Sequence, residues 1–175
     1  MLSLYDITVP NYIRMLQASI EVMKKGQGFL TETDVDLSNI TNMRLAEDML
    51  PFHAQVNIAC HNAVGSTKAF FDGEFRPPQV SLDTLTYQEL IDHISGSIET
   101  LNSFGKDDVD SRFGQLLFFK FGDQSTPFTA ENFAISFASP HVYFHTTTLY
   151  DMLRIKGVPL GKMDYLGQMV VGIPE

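Results

Sequence analysis

Apolar positions recur at helical spacing in four stretches of the 175-residue chain, and polar or Gly/Pro-rich stretches separate them. The first begins at Thr8 and Pro10, with Pro where a missing N–H costs nothing, and carries Ile13, Leu16, Ile20 and Met23 along one face. Lys24, Lys25 and Gly26 then read as its end. From Gly28 to Leu45 the period is lost among Thr31, Thr33, Asp34, Asp36, Ser38 and Asn39, which predicts a long connection with room for a short helical turn. A second helix is expected from about Ala46 to Phe71, where Met49, Phe52, Val56, Ala59, Cys60, Ala63, Thr67 and Phe70 form a broad stripe. Pro51 either lies in its first turn or marks its true beginning.

Asp72 and Gly73, followed by Pro77 and Pro78, break the chain. Thr86 and Glu89 then have the spacing of a capping box, ahead of Leu90, Ile91, Ile94, Ile98 and Leu101, so a third helix is predicted to run to about Gly105. Gln115 to Phe121, a turn at Gly122 and Asp123, and Ser125 to Phe128 predict a small hairpin. The fourth helix is expected from about Thr129, with Phe133, Phe137, Ala138, Val142, His145, Leu149, Met152 and Leu153 inward and a kink at Pro140. Lys156, Gly157 and Pro159 stop it, and the tail from Val158 to Glu175 reads as an irregular wrap. The resulting fold class is all-α: four principal helices with a small β-hairpin between helices three and four, in a single domain over residues 1–175.

Composition adds context. Hydrophobic residues make up 44% of the chain and charged residues 19%, a balance that fits a globular core and argues against disorder. The lone cysteine, Cys60, can form no intramolecular disulfide, and Met1 to Asp6 has no signal-peptide pattern, so a reducing, cytoplasmic setting is expected. Every apolar run is interrupted well before the roughly 20 residues a membrane span needs. A formal net charge of −9, with 12 scattered Lys and Arg, opposes binding to phosphate backbones, so neither membrane nor nucleic acid is an expected partner.

Candidate chemistry lies in the histidines at 53, 61, 93, 141 and 145. His141 and His145 are four residues apart, which puts both rings on one helix face, and His145 falls within the apolar stripe. On the second helix, counting about 100° per residue, His53 lies inside the apolar arc and His61 at its edge, so His53 is the expected inward partner. Three neutral imidazoles from two facing helices suit Zn²⁺, Ni²⁺ or a similar divalent ion with positions open for water and substrate. The competing reading is that histidines four apart arise by chance and a buried imidazole is hydrogen-bonded in the core. His93, beside Asp92, reads as surface, and Cys60 as packing. The chain has no Gly-rich phosphate loop, G-x-S-x-G elbow, C-x-x-C pair or H-E-x-x-H motif, which removes several common enzyme classes.

The segments SLYDITVP (Ser3–Pro10), YIRML (Tyr12–Leu16), RLAEDML (Arg44–Leu50), QVNIAC (Gln55–Cys60) and the stretch His141–Gly167, with YFHTTTLYDMLR and GVPLGKMDYLG, resemble a domain-of-unknown-function branch of the DinB/YfiT-like superfamily. That resemblance covers nearly the whole chain. It implies a DinB-like four-helix bundle, often a homodimer, with a metal pocket formed by one His from helix two and an H-x-x-x-H pair from helix four. His141 and His145 match the pair, and His53 is taken as the helix-two ligand, although it stands close to Pro51, early in its helix. Members with known activity include thiol-dependent transferases and isomerases. Three readings follow: a metal-dependent enzyme acting on a small molecule, a metal-free binding or enzyme scaffold using His145, and a structural or interaction protein.

Overall fold

A computed structural model of the protein describes residues 2–79 and 85–172. In chain order the helices are α1 (Leu4–Ile7), α2 (Val9–Glu32), α3 (Leu37–Thr41), α4 (Phe52–Asp72), α5 (Tyr87–Asn102), α6 (Lys106–Asp110), α7 (Ala130–Phe133), α8 (Ser139–Ile155) and α9 (Lys162–Leu166). A π-helical turn, Ala134–Ala138, joins α7 to α8 without a break. Strand β1 (Glu74–Phe75) pairs in parallel with β2 (Leu116–Phe121), and β2 pairs antiparallel with β3 (Gln124–Thr129). The chain is thus mostly helical with a small three-stranded sheet.

The long helices α2, α4, α5 and α8 pack on one another: α4 lies against α8 and α5, and α2 against α5 and α8. Their facing stripes form the core, with Tyr12, Leu16 and Met23 from α2, Phe52 and Val56 from α4, Leu90 and Ile94 from α5, and Val142 and Met152 from α8 all fully buried. Aromatic side chains under the sheet extend it: Phe75 packs on Phe119, Phe133 and Phe137 with ring centres 5.3–6.1 Å apart.

Helix α2 continues past Lys24, Lys25 and Gly26, where the sequence predicts a stop. Gly26 serves a close approach: a Cβ there would lie 2.9 Å from the Tyr87 hydroxyl, which donates to the Met23 carbonyl at 2.8 Å. Leu30, one turn further on and fully buried, holds the helix onto the core. The long connection that follows contains α3, capped by Asp36, whose carboxylate accepts from the Ser38 N–H.

Pro51 is the N-cap of α4, so this helix starts at Phe52; residues 46–51, placed by the periodicity in the helix, are turn and extended chain. The helix ends at Gly73, in the left-handed region at φ 70°, with its N–H bonded to the Ala69 carbonyl. Helix α5 carries the full capping box, in which Thr86 and Glu89 satisfy each other's backbone N–H groups. At Pro140 the chain departs from a simple kink. Proline removes a donor and crowds the carbonyl four residues back; the widened π turn immediately before it relieves that crowding, and the Ser139 N–H reaches the Ala134 carbonyl. Among the described residues no helix is long and apolar enough to cross a membrane.

Candidate functional site

The facing surfaces of α4 and α8 bring Gln55 and His145 together. Both are buried, at 2% and 9% exposure, and His145 Nδ1 lies 2.7 Å from Gln55 Oε1. The other end of the Gln55 amide, Nε2, donates to the Leu50 carbonyl at 2.9 Å. A carbonyl can only accept, so this bond fixes which end of the amide faces histidine, and Oε1 in turn requires a proton on Nδ1. His145 is therefore the Nδ1–H tautomer, with its lone pair on Nε2.

His141, one turn earlier, is set in the same way. Its Nδ1 donates to the Phe137 carbonyl at 2.9 Å, and its ring packs on Phe137 with centres 4.0 Å apart. The two imidazole centres are 6.2 Å apart, and the half-exposed Phe144 meets His145 edge-on at 5.2 Å. Phe133, Phe137, His141 and His145, each four residues from the next, form a ladder of rings along α7, the π turn and α8.

Burial, and secondarily the neighbouring His141, lower the pKa of His145 from 6.5 to about 4. The ring is consequently neutral throughout the physiological range. Its Nε2 can accept a hydrogen bond, bind a cation that prefers imidazole, or take a proton weakly.

His53 occupies a different part of α4. It precedes Gln55 by two residues, about 200° round the helix, and so leaves the flank that meets His145. It is buried, and burial together with the Arg44 guanidinium lowers its pKa. Among the described residues no three His, Cys, Asp or Glu side chains are gathered where they could hold one metal ion. His61 bonds through Nε2 to the Arg76 carbonyl at 2.7 Å, and His93 is exposed. Cys60 is buried, which pushes its thiol up to about 12 and leaves it a packing residue.

Histidine counting alone overlooks Gln55. Its signal in the sequence was a lone amide within the apolar run from Phe52 to Cys60, since a polar side chain buried in such a run requires a specific partner.

A family model described as Domain of unknown function (DUF1993) matches residues 4–166. The chain belongs to this family. Among solved structures, the DUF1993 chain is similar to a crystal structure of a DinB family member protein from Shewanella denitrificans, with 31% sequence identity, 98% of this chain and 96% of that chain covered, and a TM-score of 0.84. The DinB-like resemblance seen in the sequence thus holds for both family and fold. No curated protein matches the DUF1993 chain.

Proposed function

We propose that this DUF1993 protein is a four-helix-bundle scaffold of the DinB type that binds a small molecule against His145 Nε2. The observation carrying this reading is the Leu50–Gln55–His145 relay, in which a backbone carbonyl orients an amide and the amide orients an imidazole. Such outer partners fix the tautomer and direction of a working histidine. A ring that stays neutral down to about pH 4 exerts no charge attraction on anions, so it selects a neutral hydroxyl, thiol or N–H donor. Phe144 supplies apolar contact beside it. General-base catalysis works best with a pKa near the working pH, and one about three units lower favours recognition over proton abstraction.

The DinB-like fold raises the question of a divalent ion such as Zn or Ni on His53, His141 and His145. His141 and His145 each have Nδ1 engaged and Nε2 for a ligand, which suits an ion. A catalytic zinc site takes three protein ligands, however, and no third His, Cys, Asp or Glu joins the pair among the described residues. The α4 side chain that reaches the pair is an amide whose oxygen is committed to His145 Nδ1. These residues do not fit a three-ligand ion, and the reading rests on the imidazoles alone.

Two measurements on untagged protein test it. Nitrogen-15 correlation spectra of the imidazoles should show His145 with a protonated Nδ1 and a bare Nε2 at pH 7, unchanged at pH 5. Metal analysis of wild type and His145→Ala should find no stoichiometric metal in either. Near-stoichiometric zinc or nickel that His145→Ala loses would overturn the proposal in favour of a metal enzyme.

A further inference from the structure

Residues of α4 and α5 line an open groove of about 430 Å³, on the side of α4 away from Gln55. Asn57, His61 and Lys68 line it from α4, and His93, Ser97 and Thr100 from α5. No acidic side chain is among the described residues lining it, although the chain has 21 Asp and Glu against 12 Lys and Arg. In a protein of formal net charge −9, the one formal charge among these lining residues is the Lys68 ammonium.

Three donor side chains in the groove are uncommitted: Lys68 makes no ion pair, and the side chains of Asn57 and His93 make no hydrogen bond, among the described residues. The Ser97 and Thr100 hydroxyls donate to the His93 and Gly96 carbonyls. His61 Nε2 is tied to the Arg76 carbonyl, which fixes the ring. The neighbouring hollow shares His61, Gly65 and Lys68 with the groove and is lined also by Asp72, Glu74 and Arg76; the Glu74 carboxylate is paired with both Arg76 and Lys120, and among the described residues Asp72 makes no ion pair with Lys68.

Two mid-helix glycines shape the walls. A Cβ on Gly65 would lie 3.3 Å from His61 Nε2 and 3.4 Å from the Phe75 ring, so a side chain there would press on the fixed imidazole. A Cβ on Gly96 would meet nothing within 4 Å. Packing therefore gives no reason for glycine at 96, where it weakens the helix, whereas an open groove does.

We infer that this groove binds a small molecule through an anionic group, a carboxylate or a phosphate, held by Lys68 with Asn57 and His93. The ammonium supplies the charge, and the Asn57 amide and the His93 imidazole supply directed donors, one from each wall. This site is separate from His145, which selects against charge.

The test is an amide-resonance titration of nitrogen-15-labelled full-length protein with sodium phosphate and, separately, sodium succinate, with ionic strength held constant by sodium chloride. At least one anion should give saturable shifts centred on Asn57, His61, Gly65, Lys68, His93 and Gly96. Saturation by phosphate or by succinate identifies the anionic group. Lys68→Ala should weaken binding at least tenfold, and so should Gly96→Leu, which fills the groove from an exposed helical position; each variant's spectrum away from the groove should stay that of wild type. Absence of saturation with both anions, or saturation that Lys68→Ala leaves unchanged, would overturn the inference.

Discussion

Replacing His145 by Asn should remove a defined part of the acid sensitivity of the fold. In the folded protein the imidazole titrates at about 4, against 6.5 for an ordinary histidine. Between these values the unfolded chain binds a proton that the folded chain refuses, so stability falls as pH falls. The contribution is fully present above about pH 6.5 and lost as the pH descends to about 4. A separation of about 2.5 units, at 1.36 kcal/mol per unit, corresponds to about 3 kcal/mol for a site as buried as this one. Asn cannot titrate, so the cost of His145→Asn, whatever its value at pH 7, should shrink by about 3 kcal/mol at pH 4. Urea unfolding of both proteins at half-unit steps from pH 7.5 to 4 measures this difference directly, and the other histidines are common to both proteins. A difference in stability that stays constant to within about 0.5 kcal/mol over that range would refute the assignment of a buried, neutral His145 and the recognition role built on it.

Gln55→Leu keeps much of the side-chain volume but leaves both the His145 Nδ1–H and the Leu50 carbonyl without their partner; a loss of about 1–3 kcal/mol per orphaned buried group is expected, read as a lower urea midpoint. Gly26→Ala would put a methyl 2.9 Å from the Tyr87 hydroxyl, so despite the better helix propensity of alanine the melting temperature should fall, by about 2–4 °C for each kcal/mol of strain. Cys60, buried with a thiol near 12, should resist iodoacetamide in the native protein and react only on unfolding; labelling of folded protein at pH 8, followed by mass spectrometry, would contradict its packing role.

What the sequence reveals of this fold follows from how local each determinant is. The capping box at Thr86 and Glu89 is written within four residues, and α5 begins there. The end of α2 depends on a neighbour 61 positions away: Gly26 reads as a stop until Tyr87 is seen resting on it. Likewise β1, two residues long, exists through its pairing with β2, and no pattern in Glu74 and Phe75 announces it. At the candidate site the spacing of His141 and His145 was legible because the two share a helix face. The partner of His145 was not, because apolar periodicity places His53 inside the stripe and is silent on which polar side chain in that turn meets α8.

The π turn supplies the remaining link between sequence and site. It accommodates an extra residue over a single turn, so the α-helical phase of Phe133 upstream does not carry through unchanged to His141 and His145 downstream. With the extra residue absorbed, Phe133, Phe137, His141 and His145 stack as successive rungs, running from a fully buried phenyl ring to the imidazole that meets Gln55. The Phe137 carbonyl accepts the His141 Nδ1–H and fixes that ring, one turn before the ring that Gln55 fixes. The two imidazoles thus share a tautomer on one face of α8, each with its Nε2 lone pair left for a ligand.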